Sequence, residues 1–192
     1  VLGIGPLAYK NKFNKDAIMS KKISVPANIN EIKDLRAGDI VYVSGLLLTA
    51  RDAAHKRLID QLDRGERLPI DLENQALYYT GPCPAPPGRP IGSCGPTTSS
   101  RMDTYTPRLL DLGLKLMIGK GQRSPAVIES MVKNGAVYLA ATGGAGALIA
   151  RSVIEASIIA YEDLGPEAIH RLTVKDMPLI VAIDSRGNSL YK

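Results

Sequence analysis

The chain has no tryptophan, one phenylalanine, two cysteines and two histidines in 192 residues. Each shortage excludes something. Two cysteines cannot build a disulfide framework, and two thiolates cannot by themselves hold an iron–sulfur cluster. His55 and His170 are too few for a self-contained zinc site, which takes three or four ligands. Most metalloenzymes that work as a single chain are thereby excluded, and no metal is expected on this chain. No apolar run reaches membrane-spanning length. The segment Val1–Ala8 is too short and glycine-rich for a signal-peptide core and has no basic residue ahead of it. A cytoplasmic protein with reduced thiols and no membrane contact is the expectation. The net charge is +5, but the few aromatics are scattered rather than interleaved with a basic stripe, so nucleic acid is not an expected partner.

What is present is an ordinary globular composition, 45% hydrophobic and 22% charged, long enough to bury roughly 70% of its extended surface without a covalent staple. The early basic residues Lys10, Lys12, Lys15, Lys21 and Lys22 face only Asp16, and residues 1–21 read as an N-terminal arm or extension before a domain over 22–192. Along that domain, 22–26 opens a strand, 32–38 a turn of helix, and Asp39–Gly45, continuing to Leu48, a β-branched strand. Thr49-Ala-Arg-Asp52 fits a capping box and starts a helix that runs to about Arg64. Ala76–Thr80 is a strand. The stretch from Gly81 to Pro96 holds six prolines, a density no helix or central strand survives, and a loop this long is usually functional or disordered. Strands are expected over 114–118, 136–141, 170–174, 179–183 and 189–191. Helices are expected from Ser124-Pro125 to Asn134-Gly135 and over 147–161. The class is α/β with a mixed sheet.

Three strand-to-helix junctions hold unusual residues. The first, Thr49-Ala-Arg-Asp-Ala-Ala-His-Lys-Arg57, sets Arg51 in a first helical turn, where a cation opposes the helix dipole unless an anion binds there. The second, Gly95-Pro-Thr-Thr-Ser-Ser-Arg-Met-Asp103, offers four hydroxyls and Arg101, a guanidinium that can grip a carboxylate bidentately. A single helix cap explains one hydroxyl but not four. The third, Met117-Ile-Gly-Lys-Gly-Gln-Arg-Ser124, puts Lys120 at a strand's carboxyl end, where open α/β sheets bind ligands. It is not a phosphate loop, since position 114 is Leu and position 121 is Gly. Thr142-Gly-Gly-Ala-Gly146 is a partial dinucleotide loop with Ile149 in the third glycine position. The pairs Asp71/Glu73 and Glu162/Asp163 read as solvated, His55 as a hydrogen-bonding helix residue, and Cys83 and Cys94 as idle thiols.

Taken in order, Arg-Asp-Ala-Ala-His-Lys, Gly-Pro-Thr-Thr-Ser-Ser-Arg-Met-Asp, Gly-Lys-Gly and Thr-Gly-Gly-Ala resemble the β subunit of class I iron–sulfur fumarate hydratases and L-tartrate dehydratases, equivalent to the C-terminal domain of the single-chain forms. The resemblance runs from about residue 22 to 192. It implies a swivelling β/β/α three-layer domain and a separate α subunit whose three cysteines hold a [4Fe-4S] cluster, with αβ units that can pair. It implies that Arg51, Arg101, Lys120 and Thr98 bind substrate carboxylate and that Thr97 transfers a proton at the carbon bearing no hydroxyl. The implied activity is reversible hydration of fumarate to (S)-malate. L(+)-tartrate dehydration is the alternative within the family, and a non-enzymatic anion- or nucleotide-binding module is the alternative outside it.

Overall fold

A computed structural model describes residues 20–141 and 146–191. The arm expected over residues 1–21 falls, up to residue 19, outside the described residues, as do Thr142, Gly143, Gly144 and Ala145 of the glycine-rich loop. The elements are β1 (Lys21–Val25), α1 (Ile29–Ile32), β2 (Ile40–Thr49), α2 (Asp52–Asp63), β3 (Ala76–Tyr78), a 3₁₀ turn (Ser99–Met102), α3 (Thr106–Asp111), β4 (Leu116–Gly119), α4 (Pro125–Asn134), β5 (Val137–Ala140), α5 (Gly146–Ala150), β6 (Val153–Ala160), a second 3₁₀ segment (Glu162–Glu167) and β7 (Ile169–Ile183).

The sheet is mixed, as the sequence predicts. Strands β1 to β5 pair in parallel, each with the next. Strand β7 runs antiparallel to β2, β5 and β6. Because β7 pairs with both β2 and β5, the chain closes a ring β2–β3–β4–β5–β7, with β1 and β6 attached outside it. Alternate residues of the ring strands face two cores, as the two-residue period of a strand requires. Val41, Val43, Ala76, Tyr78, Leu116, Ile118, Val137 and Leu139 share one cluster with Ile32 and Leu35 from the α1 region. Leu77, Met117, Tyr138 and Ala182 face the other, where Ala54 and Leu58 of α2, Leu109 and Leu110 of α3, and Val127 and Met131 of α4 cover them. Strands buried on both faces read as near-continuous apolar runs, which is why β4 and β5 are visible in the sequence.

Helix α4 starts at Pro125 behind Ser124 and ends at Gly135, whose φ of +64° gives the left-handed cap that glycine supplies without strain. Elsewhere the structure corrects the sequence reading. The helix expected over 147–161 is one short turn, α5, followed by the strand β6: Val153, Ile154, Ile158 and Ile159 are β-branched, and the run pairs with β7. The two strands expected at 170–174 and 179–183 are one, β7, with Asp176 at φ +48° beside a shift in register against β2. The expected strand at 189–191 is a single bridge between Ser189 and Ile183. The first helix lies earlier than 32–38. No helix among the described residues is long and apolar enough to cross a membrane.

Candidate functional site

The site begins at the carboxyl ends of the parallel strands. Strand β2 delivers Thr49, Ala50 and Arg51; β3 delivers Thr80 and Gly81; β4 delivers Lys120. The long loop leaves at Gly81 and returns at Gly95, and its return is stitched to two of these ends. The Thr97 amide donates to the Tyr79 carbonyl at 2.7 Å, and the Ser99 amide donates to the Lys120 carbonyl at 2.8 Å. Thr98 and Lys120 form a parallel bridge. Thr80 Oγ1 donates to the Gly95 carbonyl at 2.8 Å, and the buried Tyr78 hydroxyl donates to the Cys94 carbonyl. The second and third junctions are therefore one structure. Beyond β5, Gly146 lies against the same loop: a Cβ there would sit 2.8 Å from the Gly95 amide nitrogen.

The first junction joins through charge. Arg51 is the N-cap of α2, in extended conformation and with no side-chain cap bond of its own. The capping box expected from Thr49 does not form. Thr49 ends β2, and its hydroxyl accepts the His170 amide at 3.0 Å. The Arg51 side chain crosses Gly81, where a Cβ would stand 3.1 Å from its Cδ and one terminal nitrogen. Its Nε lies 3.4 Å from Asp52 and 3.3 Å from Glu167. Asp52 also reaches Arg101, 2.8 Å from its Nε. One carboxylate thus gathers the guanidiniums of the first and second junctions. The terminal nitrogens of both arginines make no hydrogen bond among the described residues, and Arg101 is 52% exposed.

The four hydroxyls of the second junction divide. Ser99 is fully buried. Its Oγ lies 2.9 Å from the Tyr138 hydroxyl, which in turn donates to the Gly121 carbonyl at 2.9 Å. It packs where a Cβ on Gly119 would fall 1.9 Å from its oxygen. Its role is to hold the Thr97–Thr98 segment against the Lys120 loop. Thr97 is half-buried, while Thr98, Ser100 and Lys120 are exposed. Among the described residues the hydroxyls of Thr97 and Thr98 make no hydrogen bond and the Lys120 ammonium no ion pair.

Beneath this surface lies a pair the sequence reading passed over. The Arg123 side chain is fully buried, with Nε 2.7 Å from Asp103 and a terminal nitrogen donating to Thr106 Oγ1 at 2.7 Å. Its guanidinium lies against the rings of Tyr79 and Tyr138, 5.3 and 5.2 Å from their centroids. The other oxygen of Asp103 accepts the Ser124 amide at 2.6 Å. Asp103 therefore serves the start of α4 rather than its own turn. His55 is fully buried, and burial lowers its pKa to about 4. Its Nδ1–H donates to the Arg51 carbonyl at 3.0 Å. His55 is thus a hydrogen-bonding helix residue, as the sequence predicts. Cys83 is exposed and Cys94 buried, both free. Burial, with a smaller contribution from Cys83, pushes the Cys94 thiol up to about 11. Among the described residues no three of His, Cys, Asp or Glu are grouped to hold a metal, so these side chains do not fit a cluster ligand set.

Chemically, the surface presents two guanidiniums, an ammonium and two hydroxyls around the returning loop. A cleft of about 380 Å³ between the proline-rich loop and β6 is lined by apolar Pro82, Ile91 and Ile158 with His170, and none of the five candidate residues enters it. Arg101 and Lys120 of the cluster are exposed, while Arg51 is partly buried.

The fumarase C-terminus family matches residues 7–192. A putative L(+)-tartrate dehydratase subunit beta from Methanocaldococcus jannaschii is 40% identical over 168 residues, covering 84% of this chain and 86% of that protein. The L(+)-tartrate dehydratase subunit beta of Escherichia coli is 36% identical over 177 residues, 90% and 87% of the two chains. An aerobic class I fumarate hydratase from Salmonella typhimurium is 38% identical over 152 residues, 78% of this chain but 26% of its own. The chain spans less than a third of the length of the fumarate hydratases it matches. With nearly all of its residues inside the family match, the chain belongs to the fumarase C-terminus family.

Proposed function

We propose that this chain is the β subunit of a heteromeric hydro-lyase and supplies the cationic half of a site for a four-carbon dicarboxylate. In this reading it is the swivelling β/β/α domain of the assembly. The [4Fe-4S] cluster belongs to a partner α subunit, and the reaction is reversible hydration of fumarate to (S)-malate. The observation that carries it is the convergence of Arg51 and Arg101 on Asp52, beside the Thr98–Lys120 bridge. A dianionic substrate needs cations for two carboxylates and donors for the charge that develops on one of them.

Arg51 and Arg101, held through Nε, bind one carboxylate in fork geometry with their terminal nitrogens. Lys120 and Thr98 meet the other. In hydration the half-buried Thr97 passes a proton to the carbon that receives no hydroxyl, water oxygen adds at its neighbour, and the proton this water loses restores the Thr97 hydroxyl. In dehydration the proton on that carbon returns to Thr97. A threonine hydroxyl is a weak acid and base on its own, so its partner in proton exchange lies across the interface.

L(+)-tartrate dehydration is the second reading. It is favoured by coverage, since this chain matches the tartrate dehydratase β subunits over most of their length and the fumarate hydratases over a minor share. The test is to assemble the chain with its cluster-bearing partner and measure kcat/KM on fumarate and on L(+)-tartrate. Turnover of neither overturns the hydro-lyase reading. In the active assembly, Arg101→Ala and Lys120→Ala each lower kcat/KM by more than about 100-fold, the loss of a contact worth ~2.7 kcal/mol in the transition state. Unchanged kinetics in both would remove these residues from the site.

A further inference from the structure

Helix α2 has no local cap, and its first turn is where Arg51 must be held. The residue that serves it comes from the far end of the chain. Glu167 ends the 3₁₀ segment joining β6 to β7. One of its carboxylate oxygens accepts the Ala53 amide at 2.7 Å, from 114 residues away. The other lies 3.3 Å from Arg51 Nε. On the remaining side, the Arg51 side chain runs over Gly81, whose missing Cβ leaves room both for it and for the Pro166 carbonyl. The Glu167 side chain is only 25% exposed.

We infer that Glu167 is a positioning residue for Arg51: it ties the start of α2 and the Nε edge of the guanidinium with one carboxylate, so that the two terminal nitrogens face the anion. A guanidinium carries its donors in one rigid plane. Fixing the Nε edge therefore fixes the direction of the opposite edge. Glu167 adds negative charge beside an anion site, which by itself weakens anion binding. Its contribution is orientation, and that separates it from the substrate-binding cations. Asp52 shares the Nε edge but also holds Arg101, so it gathers the two arginines, whereas Glu167 acts on Arg51 alone.

This inference rests on the proposed dicarboxylate site, and its test separates the two. Wild-type turnover in the assembled enzyme decides the site first. Glu167→Ala is then expected to raise KM on the order of tenfold with a smaller change in kcat, because misorientation by an ångström is enough for such losses. Glu167→Gln, whose single amide oxygen can serve the Ala53 amide or Nε but not both, is expected to recover only part of it. Asp163→Ala is the structural control. Asp163 clamps the same 3₁₀ segment to α2 through two 2.7 Å contacts with Arg57 and does not touch Arg51. If Asp163→Ala raises KM as much as Glu167→Ala, or if Glu167→Ala has the same effect in an Arg51→Lys background, Glu167 does not act through Arg51 and the inference is overturned. A readout independent of activity is the Arg51 Nε–H resonance in the full chain, identified by its loss in Arg51→Lys. It should exchange slowly in the wild type and fast in Glu167→Ala. Equal exchange in the two would also overturn the inference.

Discussion

The imidazole of His55 lies fully buried under the first turn of α2, edge-on to Tyr79 at 5.2 Å between centroids. Its one hydrogen bond, to the Arg51 carbonyl, fixes the proton on Nδ1 and by itself favours the charged ring, but burial outweighs it and keeps the ring neutral. Burial lowers its pKa from 6.5 to about 4. Above pH 6.5 the folded and unfolded chains both carry it neutral, and its contribution to stability is complete. Below that, the unfolded chain takes up a proton that the folded one refuses until the pH nears 4. Stability therefore falls on acidification through that window, by about 3 kcal/mol at its lower end. Urea unfolding from pH 7.5 to 4.5 should show a shallower decline in His55→Asn, whose amide can still donate to Arg51. Equal slopes would mean that the ring charges in place. At this scale the sequence shows Arg51, Arg101 and Lys120 because cations at strand ends run against helix dipoles or sit among glycines. It does not show Glu167, whose two contacts lie more than a hundred residues away in α2. Nor does it separate Ser99, spent on packing against Tyr138, from its neighbours Thr97 and Thr98.

Elements are joined here by polar contacts where the backbone offers none. The 3₁₀ turn carrying Arg101 ends at Asp103, and Asp103 holds both the buried Arg123 and the first amide of α4. Removing that carboxylate leaves a guanidinium with no counter-ion in the interior and an uncapped helix start. Asp103→Ala should cost about 3–5 kcal/mol and lower the melting temperature sharply. Asp103→Asn, still an acceptor for the Ser124 amide, should lose less. A variant as stable as the wild type would show that Tyr79, Tyr138 and Thr106 suffice for Arg123. The same contrast between local and distant partners explains which elements are legible. Helix α4 carries its own start and stop, Ser124-Pro125 and Gly135, and is read from sequence to the residue. Strand β6 does not carry its own signal. Its apolar residues follow Ala147, Leu148 and Ala150 without a turn marker, and Ile154, Ile158 and Ile159 are solvent-exposed, so no buried stripe sets its period. Only pairing with β7 makes it a strand.

At the scale of the molecule, β7 decides the architecture. Its fifteen residues pair with β2 along one edge and with β6 and then β5 along the other. Without it β2 to β5 are an open parallel layer, and their carboxyl ends, where the candidate site is assembled, have no reason to stay in register with the chain's last third. The ring also makes the stability uneven. Val41, Val43, Leu47, Leu172 and Val181 are buried between paired strands on both sides. The outer edge of β6 pairs with nothing among the described residues, and five of its eight residues are exposed. Local opening is easiest where few apolar contacts and one neighbour hold a segment. Native-state hydrogen exchange should then find amides of β2 and the β2-facing amides of β7 opening only with global unfolding, and amides of β6 opening at lower free energy. Leu172→Pro removes a ladder donor and breaks the pairing at the point where β7 meets both Leu47 and Ala156. It should abolish cooperative unfolding of the whole chain. If β6 exchanged as slowly as β2, the chain would be opening as one unit, and the segment that carries Glu167 to Arg51 would be as rigid as the ring itself.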